Sequence, residues 1–179
     1  MTQIARMYGG SLYELAAEES LTDSIMQQME EIRQIFRENP DYVRLLAEPS
    51  IPKQEREGLI DAALSEGCEQ YLVNFLKLLC ERNILNEYSG CCDEFIRRYN
   101  ADHNIAEATV TSAVSLTEDQ MSALKSRLEA LSGKQVRLLA KVSPGVLGGL
   151  RVELEGKALD GTVSGRLSGI QKKLNEIIV

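Results

Sequence analysis

Apolar residues return along the first hundred positions at intervals of three and four, the repeat of one helix face. Ile4, Tyr8, Leu12 and Leu15 predict a first helix, and Ile25, Met29, Ile32 and Phe36 a second. The second closes at Glu38-Asn39-Pro40, because the residue before a proline avoids the helical region. A short helix is expected from Tyr42 to Ala47, before Pro49-Ser50-Ile51-Pro52, the clearest breaker in the chain. Lys53 to Leu64 reads as helix again, ending near Gly67. From Glu69 to Arg82, Leu72, Phe75, Leu76 and Leu79 form one stripe, while Tyr71 and Leu78 lie off it. So wide an apolar arc predicts a central helix buried on more than one side. Leu85, Tyr88, Cys92, Phe95 and Tyr99 make a sixth stripe. Six helices on short connections predict an all-α bundle.

The period then changes. Ala108, Val110, Ser112 and Val114 alternate with Glu107, Thr109, Thr111 and Ala113, a strand pattern. Thr117-Glu118-Asp119-Gln120 is a capping box, with acids in the first turn, and Met121, Leu124, Leu128 and Leu131 continue it as a helix ending at Gly133. Val136, Leu138, Ala140 and Val142 alternate as a second strand, Ser143-Pro144-Gly145 turns the chain, and Leu150, Val152 and Leu154 form a third. Lys157 to Asp160 is expected as a short fourth. Val163, Leu167, Ile170, Leu174 and Ile177 then predict a last helix. The fold class expected is α+β in two domains. The first is an N-terminal all-α six-helix bundle over residues 1–105. The second, over 106–179, is a small α/β domain with a short sheet and a C-terminal helix.

Charge supports the division. Residues 1–105 carry a net −9 and 5 of the 13 glycines, whereas residues 106–179 carry +2 and the other 8. The whole chain of 179 residues stands at −7, with aromatics at 5% and no Trp. That balance argues against a binder of phosphate backbones or a stacking platform for bases. The longest uncharged run, Ala108 to Thr117, has ten residues, half of what a spanning helix needs, so no membrane span is expected. Met1-Thr2-Gln3-Ile4-Ala5-Arg6 shows no secretory leader pattern, and four cysteines are too few for a disulfide scaffold, so reduced thiols are expected.

Familiar chemistry is missing from the pattern. Gly133-Lys134 is followed by Gln135 and Gly156-Lys157 by Ala158, so neither makes a phosphate loop, and Gly145-Val146-Leu147-Gly148-Gly149 is not a dinucleotide fingerprint. The single histidine, His103, lies near the domain junction and reads as a solvated linker residue. Cys68, Cys80, Cys91 and Cys92 have no tight zinc spacing, and Cys80 and Cys92 fall in or beside apolar stripes as small hydrophobes. No catalytic residue, metal or cofactor is expected. Gly161, Gly165 and Gly169 recur every four residues, which suits close approach of the last helix to the sheet, with a partner-docking face as the alternative.

Several segments resemble a known family. Ala5-Arg6-x-Tyr8 with Leu12 looks like the opening of the delta subunit of F-type ATP synthases. So does Ala108 to Gln120 followed by Ser132-Gly133-Lys134-Gln135-Val136. The most specific likeness is Val142-Ser-Pro-Gly-Val-Leu-Gly-Gly-Leu150, then Leu159-Asp-Gly-Thr-Val163 and Arg166-Leu167. The chain departs from the family in Ser143, where Asp is common, and in Gly9 and Gly10, where Ala is common. The two glycines weaken the first helix or let a partner helix approach closely. In physical terms Gly148 and Gly149 permit backbone angles or contacts that a side chain forbids. Asp160-Gly161 is a turn pair, with Asp160 or Thr162 available to cap the last helix, in which Leu167 lies.

The resemblance implies a non-catalytic stator subunit of a proton-translocating ATP synthase, held on the cytoplasmic face of the cell membrane. The helical domain would bind the alpha subunits of the catalytic head through its first and fifth helices, and the C-terminal domain would bind the b subunits of the peripheral stalk. One copy per complex and a monomer in isolation are implied. Tyr8, Leu12, Leu76 and Leu79 are candidate groove residues, though each sits at a helical spacing that fits the core of the bundle better. Four fully buried anchors would contribute ~6–12 kcal/mol, against an association cost of at least ~4. The acidity of the first domain suggests a basic partner face and salt-sensitive binding. The rivals are a free-standing helical RNA-binding or regulatory module, which that acidity disfavours, and an enzyme with a nucleophilic cysteine.

Overall fold

The computed structural model describes residues 1–144, 146, 148–154 and 157–160. The chain divides into two compact units, Met1–Tyr99 and Asn100–Val179. The division falls a little before residue 105, in the last turn of a helix.

Six helices build the first unit: α1 (Gln3–Glu18), α2 (Thr22–Glu38), α3 (Pro40–Ala47), α4 (Lys53–Leu64), α5 (Gln70–Glu81) and α6 (Tyr88–Asp102). Thr2 caps α1, its hydroxyl accepting from Ala5 N at 3.1 Å. The third helix starts at Pro40, two residues before the expected Tyr42, because proline is preorganised for the first helical position. Leu85 belongs to a 3-10 turn, Leu85–Glu87, that leads into α6. One core joins these elements, with Ile25, Met29, Ile32, Leu72, Leu76, Leu79 and Phe95 among its buried members.

In α1 the inward face is turned away from the predicted stripe: it keeps Leu12 and, in part, Tyr8, but not Ile4 or Leu15. Ala5, Gly9, Gly10, Leu12, Tyr13 and Ala16 are buried, whereas Ile4 is 41% and Leu15 36% exposed. The reason is the neighbour. α6 lies so close that a Cβ on Gly9 would stand 2.5 Å from Cys91 O and 2.9 Å from Cys91 Cα, and a Cβ on Gly90 would stand 2.8 Å from Ala5 Cβ. Small residues are selected where two helix backbones meet, and the large apolar ones turn outward. The glycines of α1 therefore admit this chain's own sixth helix.

The second unit holds β1 (Ile105–Ser112), α7 (Glu118–Ser132), β2 (Gln135–Val142), β3 (Leu150–Leu154) and β4 (Lys157–Asp160). The sheet order is β2-β1-β3-β4. β1 and β2 are parallel, with Ala106 opposite Val136; β3 is antiparallel to β1, with Val110 opposite Val152; β4 is antiparallel to β3, with Val152 opposite Leu159. The Thr117–Gln120 capping box forms as expected. Ala106, Ala108, Val110, Val136 and Val152 make a small separate core with Leu128 of α7. The first strand begins earlier than its alternation suggested, and Val114 lies beyond it, 71% exposed. The predicted last helix, with Val163 to Ile177 and the Gly161, Gly165 and Gly169 repeat, lies outside the described residues.

Candidate functional site

The four residues proposed for a helix-binding groove are not gathered on a surface. Leu12 is 4% exposed, Leu76 and Leu79 are wholly buried, and Tyr8 is half-buried against the same core. Leu76 and Leu79 face inward because α5 packs against both α1 and α4, and Leu12 of α1 is buried in the same core, so none of the three is open to a partner in this conformation. What α1 presents instead is Ile4, Met7 and Leu15. They lie within one arc of the helix, Met7 being 58% exposed; in α5, which packs against α1, Leu78 is 37% exposed. The periodic stripe of the sequence includes Ile4 and Leu15 and omits Met7. The signal that would have turned the helix is the run of small residues Ala5, Gly9 and Ala16 on the opposite side.

Polar links hold this surface in register. Glu94 is a buried carboxylate on α6, and it accepts from Arg97 Nε at 2.8 Å, Arg97 Nη2 at 2.7 Å and Arg98 Nε at 2.9 Å. Those bonds, Arg97 foremost, outweigh the cost of burial and hold its pKa down at about 2. Arg98 also donates to Glu14 on α1 at 2.7 Å. At the other end of the helix pair, the Thr2 hydroxyl donates to Glu87 at 2.6 Å. Arg56 is 6% exposed, with one nitrogen donating to Leu46 O, Cys80 O and the Asn83 side chain. It fastens the end of α3 to the end of α5, where carbonyls lack helical partners.

The cysteines fit this structural pattern. Burial pushes the Cys91 thiol up to about 11 and the Cys92 thiol up to about 12, so neither supplies thiolate near neutral pH. Cys80 is buried, and its thiol donates to Leu46 O at 3.2 Å. His103 lies exposed in the turn between α6 and β1. Among the described residues no group of three His, Cys, Asp or Glu side chains could hold a metal ion, and no helix is long and apolar enough to cross a membrane.

In the second unit the glycine pair has a defined conformational role. Gly148 and Gly149 have φ of +146° and +85°, values that side chains rarely tolerate. They edge an apolar cleft beside Ser112, Leu124 and Leu150. Asp160 ends β4, opposite Arg151. Gly161, Thr162 and Leu167 lie outside the described residues.

These features define a class, an α+β chain of two compact units, one helical and one built on a four-stranded sheet. The comparisons with known proteins say which family. The chain matches the family model for the ATP synthase delta (OSCP) subunit over residues 4–174, and it belongs to that family. It is 30% identical over 179 residues to the ATP synthase subunit delta of Beijerinckia indica subsp. indica, covering 99% of this chain and 94% of that one. It is 32% identical over 172 residues to the same subunit of Desulfitobacterium hafniense strain DCB-2, covering 96% of each. Its fold is similar to that of a chain in the mitochondrial ATP synthase hexamer of Toxoplasma gondii, with a TM-score of 0.73, 15% identity and coverage of 97% and 98%.

Proposed function

We propose that this chain is a non-catalytic stator subunit of a proton-translocating F-type ATP synthase, joining the catalytic head to the peripheral stalk so that the head does not turn with the rotor. The observation that carries the reading is the family match over residues 4–174, together with relatives named ATP synthase subunit delta over nearly the full length of both chains. On this reading residues 1–105 act as one six-helix bundle that binds the alpha subunits, and residues 106–179 bind the b subunits. One copy serves each complex, at the cytoplasmic face of the membrane, and the isolated chain is a monomer. It catalyses no reaction of its own.

The head-binding face is the outward stripe of α1, Ile4, Met7 and Leu15, extended by Leu78 of α5. It fits the apolar side of an amphipathic helix. Covering only the exposed fractions of these side chains contributes on the order of 3–5 kcal/mol. That barely offsets an association cost of at least ~4 kcal/mol. A single groove therefore holds weakly, and attachment to both neighbours at once supplies the remainder through effective concentration.

Membrane vesicles stripped of this subunit and given it back provide the test. The wild-type chain should restore ATP synthesis driven by a proton gradient and keep the soluble ATPase on the membrane. A Met7→Asp chain, folded normally, should restore neither fully. Recovery of coupling without the subunit would overturn the stator reading. Full recovery with Met7→Asp would move the head-binding face elsewhere.

A further inference from the structure

The sheet of the second unit ends on one side at an unpaired edge. In the order β2-β1-β3-β4, β2 has β1 on one flank, and among the described residues no strand lies on its other flank. β2 keeps register with β1 over all eight residues, from Gln135 opposite Ile105 to Val142 opposite Ser112, and it contains no proline. A regular edge of that length is a template for a further strand. Its two ends fix the direction of the backbone groups. Gln135 N donates to Asn104 O at 3.1 Å and Ser143 N donates to Ser112 O at 2.8 Å, so the odd-numbered positions turn their amides to β1. The amides and carbonyls of Val136, Leu138, Ala140 and Val142 therefore face the free flank.

This chain fills the first of those positions itself. The Glu129 carboxylate of α7 accepts Val136 N at 3.1 Å, standing where the carbonyl of a neighbouring strand would stand. Beyond it the edge is bare. Leu139, Ala140, Lys141 and Val142 are all exposed, Leu139 at 42% and Val142 at 54%, whereas Val136 is buried with Leu128 of α7. The open face of this edge reads positive, apolar, positive in Arg137, Leu139 and Lys141. Arg137 lies opposite Glu107, but Glu107 accepts from Asn100 Nδ2 at 3.2 Å, and Lys141 lies opposite Thr111. Neither cation has an ion pair among the described residues. Two copies of β2 laid antiparallel about Leu139 would set each Arg137 opposite the other copy's Lys141, so like charges disfavour a second copy as the occupant.

We propose that the free flank of β2 is a docking edge for an extended acidic segment of a partner protein, which adds to the sheet beside Leu138 to Val142. The backbone of the guest pairs with Leu138, Ala140 and Val142. On the open face it sets acid, apolar and acid side chains beside Arg137, Leu139 and Lys141. Glu129 marks where the guest strand stops, because its carboxylate already holds the amide of Val136. The mode of docking does not depend on which protein supplies the segment, and the stator reading stands without it.

The test titrates the full chain with the peptide threonine-glutamate-threonine-valine-threonine-glutamate-threonine, and with its counterpart carrying lysine for glutamate, followed by amide NMR. The acidic peptide should shift the β2 amides saturably and slow exchange at Leu138, Ala140 and Val142 about fivefold or more. Arg137, Leu139 and Lys141, whose amides are already paired with β1, should change little. The lysine peptide should bind about tenfold more weakly or not at all, and the double variant Arg137→Glu/Lys141→Glu should reverse that preference. Ala140→Pro removes a free-flank amide without touching the β1 ladder, a place where an edge strand tolerates proline, and should weaken the acidic peptide about tenfold. An absence of saturable shifts in β2 overturns the proposal. So does undiminished binding to a folded Ala140→Pro chain, since the attraction is then ionic with no strand added. Dimerisation of the unsubstituted chain that Ala140→Pro abolishes gives the edge to a second copy and overturns it as well. Where Ala140→Pro disturbs the sheet, the alternation of slowed and unchanged amides along β2 decides.

Discussion

Alanine at position 9 and alanine at position 58 are the same substitution in two helices, and they should act with opposite signs. Glycine inside a helix costs ~1 kcal/mol relative to alanine. At Gly58, in α4, a Cβ would meet nothing within 4 Å, so the full gain should appear. At Gly9 the new Cβ would stand 2.5 Å from Cys91 O and 2.9 Å from Cys91 Cα. Both are backbone atoms that cannot rotate away, so α1 and α6 must separate or shift. Overpacking of that kind costs ~1–3 kcal/mol. The backbone obstacle puts the cost in the upper part of that range, for a net loss of ~1–2 kcal/mol after the helix gain. For a helical unit of this size 1 kcal/mol moves the midpoint by about 4–8 °C. Thermal and urea unfolding followed by far-ultraviolet circular dichroism should therefore show Gly58→Ala raised and Gly9→Ala lowered. Gly10→Ala, whose nearest obstacle is the Arg98 guanidinium, should fall between them because a side chain yields at a smaller cost than backbone. If Gly9→Ala were as stabilising as Gly58→Ala, the account of α1 as a helix turned by a close neighbour would fail.

The Glu94 carboxylate gives a pH test. Its folded pKa of about 2 lies below the unfolded value of about 4.5, so its contribution is fully present above pH ~4.5 and is lost as pH falls towards 2. The full effect is on the order of 3 kcal/mol, and a Glu94→Gln variant should show a correspondingly flatter acid limb in pH-dependent urea titrations. Arg56→Met should destabilise by ~2–4 kcal/mol, since Leu46 O, Cys80 O and the Asn83 side chain lose a buried donor, and its unfolding midpoint reads the loss. Leu76→Ala should cost ~2–5 kcal/mol as a core cavity, while Met7→Asp stays within ~0.5 kcal/mol of wild type, and paired unfolding curves separate core from surface. A thiol reagent at neutral pH should leave Cys80, Cys91 and Cys92 unmodified in the native chain and modify all four cysteines after unfolding.

Much of the architecture is legible because periodicity reports burial. The α2 stripe of Ile25, Met29 and Ile32 is the buried face, and the Thr117 box caps α7 as its spacing implies. Periodicity failed where burial is achieved by small residues. A stripe of Ile4, Tyr8, Leu12 and Leu15 looks more apolar than one of Ala5, Gly9 and Ala16, yet the second faces α6. The rule that large apolar residues point inward assumes a gap to fill, and two helix backbones in contact leave none. The same blindness affected the groove residues. Leu76 and Leu79 belong to a helix enclosed on both sides, and sequence alone carries no measure of which apolar arc remains open. Strand limits slipped for a different reason, since Ile105 and Ala106 follow a helix without a strong breaker and Val114 continues an alternation after pairing has stopped.

A stator bears torque, which demands more of its packing than stability alone. Apolar packing is non-directional, so it fixes how close two helices sit more firmly than where they sit along each other. Hydrogen bonds between distant elements fix the second quantity. In the helical unit such bonds recur at the joints. The Tyr88 hydroxyl donates to Met29 O at 3.1 Å in the core, Ser24 donates to Glu69 at 2.9 Å, and Arg33 donates to Asp93 at 2.8 Å. Arg56 ties two helix ends to Asn83. The exposed links are each worth ~1 kcal/mol or less and add little to stability. Sliding one helix past another, however, would break several at once and orphan the buried acceptors, which costs far more than any single bond contributes. α1 is tied in the same way, by Arg98 to Glu14 and by Thr2 to Glu87, so sliding it along α6 would break both links together.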